Sequence, residues 1–461
     1  MNLHRLLAGS DRIVETCVVG SGAFGQSFLL QGRRVPRMNA RVAVDISAER
    51  AADAFRAVGF DASDVRACHS AEEAEAAWRE GHAVAAGDLR HVLGLPIDVV
   101  IEATGQPEAG ARFARLAIEA GKHVALVSKE VDSVVGPGLA HMAAERGVIV
   151  TPVDGDQPSL LIGLIAWAET LGLEIVSAGK SSEYDFVFDP KTEVITSTDR
   201  QAHVPGFGRL WDADGRPLAD LMRARAEAAS ALPQHAVPDL CEMEVVANST
   251  GFMPDTPAFH APIARIGEVA DLFGPVEDGG LMRGTRRLDV FNCLRQPDEV
   301  SFAGGVFVVV RCEGEATWRM LAEKGHTVSR SGKTAMLYLP RHLLGVEAAT
   351  SVLSVALLGL STGAAEPRPH VDLIAIADAD LPAGHVLRMY GHHHSIDDVS
   401  SALVPAGPLT DDRPMPFYLA AGRTLVRSVA AGQPIRRGDV DMTGESELLA
   451  IRAYQDRVFF G

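Results

Sequence analysis

Three polar clusters in the first half of the chain carry side chains suited to bond chemistry. They are Lys129-Glu130-Val131-Asp132, Asp154-Gly155-Asp156-Gln157-Pro158 and Lys180-Ser181-Ser182-Glu183-Tyr184. Each follows an apolar, β-rich run, over 123–127, 147–150 and 173–177. A parallel sheet delivers side chains to its carboxyl edge, so the clusters are expected at one active edge. A partly buried lysine with lowered pKa would donate a proton there while a carbonyl receives a hydride. Carboxylates at the same edge would hold a divalent cation, Mn or Mg, as a clamp across adjacent oxygens. Asp154 is the candidate ligand and Asp156 the alternative; Asp156 also suits the N-cap of a helix opening at Gln157-Pro158. One charged cluster after a strand is usually a cap or a solvated turn. Three after the strands of one sheet are better explained by a shared site.

The elements that must position these clusters begin further back. The run Glu15–Val19 stops at Gly20-Ser21-Gly22-Ala23-Phe24-Gly25, and a helical pattern with Phe28-Leu29-Leu30 follows. In this spacing the first glycine permits the tight turn, the second lets backbone approach a pyrophosphate, and the third lets helix pack on strand. The helix N-terminus then offers free amides to the phosphates. The next strand, Arg41–Val44, ends at Asp45, 20 residues after Gly25. An acid there meets the ribose hydroxyls of NAD; it would equally cap the helix beginning Ser47-Ala48-Glu49. Arg50 would suit a 2′-phosphate, so NADP stays open. A third strand, from Asp98 to Glu102, ends in the small residues Ala103, Thr104 and Gly105 at the edge where cofactors sit. The candidate cofactor site for NAD(P)H is therefore Gly20, Gly22, Ala23, Phe24, Gly25, Asp45, Arg50, Ala103, Thr104 and Gly105.

The alternation of strands and helices predicts an α/β fold with an N-terminal doubly wound parallel sheet of the Rossmann type. At 461 residues the chain suits about three domains. We divide it into a dinucleotide-binding domain over 1–152, a central α/β catalytic region over 153–374, and a small β module over 375–461. Hydrophobic residues make up 47% and charged residues 22%, the balance of a globular protein. The net charge of −17 argues against nucleic acid or an anionic membrane surface as partner, since both reward a basic face. Five scattered cysteines without C-x-x-C spacing argue for a reducing compartment. The first residues reach charge before any apolar run forms, and no run approaches the ~20 residues of a membrane span. A cytoplasmic homo-oligomer acting on a small molecule is expected.

Several residues further along have competing readings. The stretch Cys241–Gly251 reads as an amphipathic helix ending at Gly251, with Glu242 and Asn248 as possible pocket residues and Glu244 as an ordinary surface acid. The basic loops with Arg283, Arg286, Arg287, Arg330 and Lys333 read as solvated. His342 reads as structural. His392-His393-His394 reads as a solvent loop, because adjacent residues cannot all face one ion. In the last module, a phrase around Leu381–Leu387 returns around Leu425–Val440.

The segments DVVIEATG and GKHVALVSKE resemble the homoserine dehydrogenase superfamily. EVDSVVGPGL, DGDQPSLL, SAGK, ANSTGF and LYLPRHLLGVE, in that order, resemble the smaller group of reductoisomerase-like oxidoreductases. Some members of that group convert 1-deoxy-D-xylulose 5-phosphate to 2-C-methyl-D-erythritol 4-phosphate with NADPH, a step of isoprenoid biosynthesis. The resemblance implies hydride transfer on a small carbonyl or polyol, with a phosphorylated substrate in view, and a Rossmann domain ahead of a catalytic domain. Glu130 and Asp132 match the group's pattern. Lys129 departs from the aliphatic residue of the reductoisomerase branch and is similar to the lysine that homoserine dehydrogenases carry near the nicotinamide. Lys180, in the Ala-Gly-Lys that the resemblance keeps, is the first candidate for proton donor, with Lys129, Glu130, Asp132 and Asp156 ordering the pocket. The C-terminal module resembles the β-clip (SAF-type) domain, suited to packing, oligomer contact or covering the cleft. Two rival readings stand beside this one: a homoserine-dehydrogenase-like enzyme acting on a hydroxy acid or amino alcohol, and a non-catalytic NAD(H)-binding sensor.

Overall fold

The apolar runs form strands because both of their faces are covered. In the computed structural model, which describes residues 4–183, 185–213, 215–391 and 394–461, seven of them make one sheet. Tyr184, His392 and His393 lie outside the described residues. The strands are β1 (Val14–Val19), β2 (Met38–Val44), β3 (Val65–Cys68), β4 (Ala83–Ala86), β5 (Val99–Glu102), β6 (His123–Leu126) and β7 (Val150–Pro152). Their order is β3-β4-β2-β1-β5-β6-β7, and every pairing is parallel. β4 and β5 are buried at every residue, as strands sandwiched between helix layers must be. One layer packs Phe28, Leu29, Phe55 and, from far along the chain, Val352 and Leu353. The other packs Ala114, Ile118, Val131, Val135 and Leu139. The strand order reverses between β1 and β5, so their carboxyl ends flank the crevice where a dinucleotide lies in such sheets.

A mixed second sheet has the order β11-β10-β9-β14-β8-β15-β16. Its strands are β8 (Ile175–Ser181), β9 (Phe186–Asp189), β10 (Val194–Ser197), β11 (Arg200–His203), β14 (Arg287–Arg295), β15 (Val306–Arg311) and β16 (Thr334–Leu339). The short β12 (Met253–Pro254) and β13 (Ile263–Ala264) pair along β14. The sequence reading ended β8 at Ser177, but the strand continues through Lys180. Gly179 permits this, since a Cβ there would lie 2.0 Å from the Asp289 carbonyl oxygen. Lys180 thus sits inside the sheet, opposite Val290 of β14 and Val306 of β15.

The third sheet is antiparallel, in the order β17-β20-β19-β18, from β17 (Val371–Ala377), β18 (Met389–Tyr390), β19 (Ser395–Ile396) and β20 (Val399–Pro405). The two related phrases of this module pair with each other, Leu381 bridging Val429 and Val386 bridging Thr424. The last helix, Glu447–Phe460, returns to the first domain and lies along the helix Lys129–Glu145. Gln455 there accepts the Gly138 amide at 2.8 Å. Buried Arg452 pairs with Asp372 of β17 at 2.7 Å and with Asp456 at 2.8 Å. The sheets are therefore joined by packed helices.

The helix Val237–Thr250 ends at Gly251, whose φ of 71° is the left-handed cap expected of that glycine. It is not amphipathic: every residue from Pro238 to Asn248 is buried. The helix runs between the helices Lys129–Glu145 and Gln157–Thr170 and also meets β14, β17 and β20, so it has no water-facing side. Glu244, read as a surface acid, instead accepts the Leu373 amide at 2.8 Å, and Asn248 accepts the His370 amide at 2.7 Å. Among the described residues, no helix is long and apolar enough to cross a membrane.

Candidate active site

The glycine turn has the geometry its spacing predicts. Gly20 has φ of 94°, and a Cβ on it would lie 2.5 Å from the Ala103 carbonyl oxygen. A Cβ on Gly25 would lie 2.2 Å from the Gly20 carbonyl oxygen. At Gly22 nothing lies within 4 Å, so backbone is open on the side a pyrophosphate would approach. Gly22 leaves the helix Ala23–Gly32 without a side-chain cap, so the first-turn amides at Ala23, Phe24 and Gly25 remain available to an anion.

Asp45 follows β2 and accepts the Ser21 amide at 2.8 Å, the Ile46 amide at 2.7 Å and the Ser21 hydroxyl. Arg50 reaches Oδ1, the oxygen that accepts the Ile46 amide, at 3.1 Å. Burial would raise this carboxyl, but these donors outweigh burial and hold it below its ordinary value. The helix cap that Asp45 was weighed for falls instead to Ser47, which accepts the Arg50 amide. Beyond β5, the buried Glu102 accepts the Thr104 amide at 2.9 Å and hydroxyl at 2.6 Å. Burial, with Glu130 nearby, raises Glu102. The Gly105 amide donates to Ser128 Oγ at 2.8 Å, tying the β5 and β6 edges together. An exposed Gly22, a fixed carboxylate at Asp45 and small residues at 103–105 fit a bound dinucleotide.

At the far side of this edge lies a buried chain of charge. Lys129, in the first turn of the helix Lys129–Glu145, and Lys180 of β8 both donate to Glu242, one to each carboxylate oxygen. Lys180 also lies 2.9 Å from Asp239. Burial would lift Glu242, but the two ammonium groups override it and hold the carboxyl down at about 2. Burial would likewise lower both lysines; instead Glu242 with Asp156 raises Lys129, and Asp239 with Glu242 raises Lys180. The expectation of a lysine with lowered pKa is therefore corrected: both stay cationic, as fixed hydrogen-bond donors. Their access differs. The Lys180 side chain is 1% exposed and that of Lys129 22%, so Lys129 is the more accessible of the two.

The remaining acids are dispersed. Asp156 caps the helix Gln157–Thr170 by accepting the Gln157 amide at 2.9 Å, the role weighed for it, while its carboxyl faces the field of Lys129. Asp154 accepts the Ser159 hydroxyl at 2.5 Å. Asp132 turns back on its own helix, its Oδ1 lying 1.8 Å from where a Gly136 Cβ would be, and burial pushes it up to about 7. With Lys129 and Asp156 it lines a cavity of about 10 Å³, the size of one water. Among the described residues, no group of three or more His, Cys, Asp and Glu is placed to hold a metal ion. The expected cation site at Asp154 does not fit: Glu242 is taken by two ammonium groups, and Asp154 and Asp156 serve Ser159 and the helix cap.

The C-terminal module contributes a residue that local sequence could not place. His394, read as part of a solvent loop, has its Nδ1 2.7 Å from Glu130 Oε1. Its ring lies on Gly105, with Cε1 2.6 Å from where a Cβ would be. His342, read as structural, has its Nδ1 3.2 Å from the Gly304 carbonyl oxygen and lies within the electrostatic reach of Asp156. The basic loops are surface ion pairs, Arg283 with Asp255 and Arg286 with Glu169. Asp239 was not singled out from the sequence. Its signal was its spacing of three residues from Glu242, which places both acids on one helix face.

A cavity of about 950 Å³ opens beside the charge chain. Its wall includes Asp239, which holds Lys180, and Gly391 and Ser395, which flank the described His394.

Residues 236–348 match the family described as "Oxidoreductase DRL, catalytic domain". A 1-deoxy-D-xylulose 5-phosphate reductoisomerase of Rhodopirellula baltica is 31% identical over 137 residues, which cover 29% of this chain and 30% of that relative. The chain thus spans less than a third of the length of the curated relative it matches. Among solved structures, a DOX-P reductoisomerase in complex with NADPH, fosmidomycin and magnesium is 19% identical over 39% of this chain and 48% of its own, with a TM-score of 0.28. An oxidoreductase from Bacillus cereus is 12% identical over 77% of this chain and 92% of its own, with a TM-score of 0.36. The chain is related to the reductoisomerase-like oxidoreductases, as its sequence motifs implied.

Proposed function

We propose that this relative of the reductoisomerase-like oxidoreductases is an NAD(P)-dependent enzyme that moves a hydride to or from a small carbonyl or polyol compound. The observation that carries the reading is the pair of lysines fixed on one buried carboxylate, Glu242: Lys129 from the edge of the sheet whose glycine turn and Asp45 suit a dinucleotide, and Lys180 from the second sheet. When bound, the nicotinamide supplies or accepts the hydride. The Gly22 face and the first-turn amides of the helix Ala23–Gly32 hold the pyrophosphate, and Asp45 takes the ribose hydroxyls.

The chain's own contribution to the chemistry is a fixed positive charge. Lys129 donates a hydrogen bond to the substrate oxygen, and as that oxygen gains charge the N–H bond breaks and an O–H bond forms. Water then reprotonates the amine. Glu242 and Lys180 hold the Lys129 side chain in place. Because both lysines are raised rather than lowered, they suit donation to a basic alkoxide, the direction of carbonyl reduction, better than removal of a proton from an alcohol at neutral pH.

The test is transfer of deuterium from 4-deuterated NADH or NADPH into the product of a carbonyl panel, followed by analysis of its carbon connectivity. Label on the former carbonyl carbon with an unaltered skeleton supports the reading. The similarity to a reductoisomerase over 137 residues supports a second one, reduction with rearrangement, for which 1-deoxy-D-xylulose 5-phosphate is the diagnostic substrate. Rearrangement needs a charge clamp across adjacent oxygens. The dispersed acids here favour the simple dehydrogenase.

A further inference from the structure

We infer that the cavity of about 950 Å³ beside Lys180 and Asp239 admits an unphosphorylated polyhydroxy carbonyl compound and excludes its phosphate ester. The inference rests on the hydride-transfer reading above and names its substrate class; the cavity wall reaches Lys129 through Asp239, which pairs with Lys180, and Glu242, which Lys180 and Lys129 share. The walls come from the β10–β11 turn, the residues leading into the helix Val237–Thr250 and the β18–β20 segment of the C-terminal module, completed by Ser182 and Glu183 after β8, Phe186 of β9, Asn292 of β14 and Asp378 after β17.

The charge of this lining is one-sided. Glu183, Asp199, Asp239 and Asp378 face it, against the single guanidinium of Arg200 among the described lining residues. Phosphate sites are built from several guanidinium or ammonium groups, or from open amides at a helix start. Two positions of the helix start that lines this cavity are closed to an anion. Pro238 has no N–H, the Asp239 amide donates to the Ala236 carbonyl at 3.2 Å, and the Asp239 carboxylate already sits in the first turn. A dianionic ester would therefore meet carboxylates without a matching set of cations.

The neutral lining suits hydroxyl groups, which both donate and accept. Ser182, Ser197 and Ser395 bring hydroxyls to it, and Gln234 and Asn292, whose amide nitrogens donate to backbone carbonyls, bring side-chain carbonyl oxygens that accept. The acids of this wall are engaged rather than open counter-ions for an amine: Asp199 accepts the Thr198 hydroxyl at 2.9 Å. Asp239 pairs with Lys180, and Asp378 accepts the Ser400 hydroxyl at 2.6 Å.

The experiment compares matched pairs with the full chain and NADH or NADPH: D-xylulose against D-xylulose 5-phosphate, and D-fructose against D-fructose 6-phosphate, with aminoacetone as the cationic probe. We expect kcat/KM for a neutral sugar to exceed that for its phosphate at least 100-fold. Turnover led by a phosphate or by aminoacetone overturns the substrate class and leaves hydride transfer standing. No turnover of any probe by protein that binds NADH overturns both. In Asp199→Asn/Asp378→Asn the neutral-to-phosphate ratio should fall at least tenfold; because it is a ratio within one variant, loss of folded protein does not alter it. An unchanged ratio overturns the charge argument.

Discussion

His394 and Glu130 meet at 2.7 Å, the histidine from the C-terminal module and the glutamate from the first turn after β6. The imidazole lies on Gly105, so the module touches the dinucleotide edge of the first sheet directly. We read His394 as a positioning residue that holds the Glu130 and Gly105 edges in register. His394→Ala should raise the KM for NADH or NADPH about five- to twentyfold with a smaller change in kcat, a loss of 1–2 kcal/mol typical of one hydrogen bond to a charged group. Glu130→Gln should cost about the same, and the double variant little more, which steady-state kinetics on the four proteins would establish. Additive losses would remove the coupling.

The two lysines should separate by phenotype. Lys129→Met should lower kcat by about 10³-fold or more, with dinucleotide binding kept, because it removes the more accessible of the two ammonium groups. Lys180→Met should act on stability, because it leaves buried Asp239 unpaired and Glu242 with one partner. Breaking a buried ion pair from one side costs about 3–5 kcal/mol. Chemical denaturation and single-turnover rates measured on both variants would show it; a stable Lys180→Met with abolished turnover would reverse the assignment.

Asp45 should set the choice of cofactor. Its carboxylate is fixed by Ser21, Ile46 and Arg50 at the end of β2, where a 2′-phosphate would meet negative charge. We expect kcat/KM to favour NADH over NADPH about tenfold or more, and Asp45→Ser to bring the two together by freeing Arg50. Measured preference for NADPH in the parent would overturn this.

Chelation should have no effect. With Glu242 held by two ammonium groups, Asp154 on Ser159 and Asp156 on a helix cap, the acids offer no joint cation site. Turnover after dialysis against EDTA should equal that with added manganese. Metal-dependent turnover would mean that Glu242 exchanges its lysines for an ion.

What the sequence made legible was local. Gly20, Gly22 and Gly25 lie in one turn and Asp45 in the next strand, so pattern and spacing suffice for the cofactor edge. Lys180 and Glu242 are 62 residues apart and meet only through packing of β8 against a buried helix, so their charges could not be balanced from sequence alone. The lysines were read with lowered pKa because burial was foreseen and Asp239 was not. The meeting of His394 with Glu130 spans 264 residues and depends on where the third sheet docks, which no local pattern encodes. Glu244 was misjudged for the same reason: a helix surrounded by other elements has no solvent face to read.

Asp132 gives a pH dependence with a definite sign. Burial pushes its carboxyl from an ordinary 3.8 to about 7, so between those values the folded chain holds a proton that the unfolded chain has released. Stability then falls as pH rises through that window and levels off above about 7. Asp132→Asn keeps the shape, stays neutral and removes this term. Relative to the parent, the variant should gain on the order of 3 kcal/mol between pH 4 and pH 8. Urea unfolding of both proteins across that range measures it. A difference that does not vary with pH would mean that Asp132 is ionised in the folded chain and paired with Lys129 across their shared cavity.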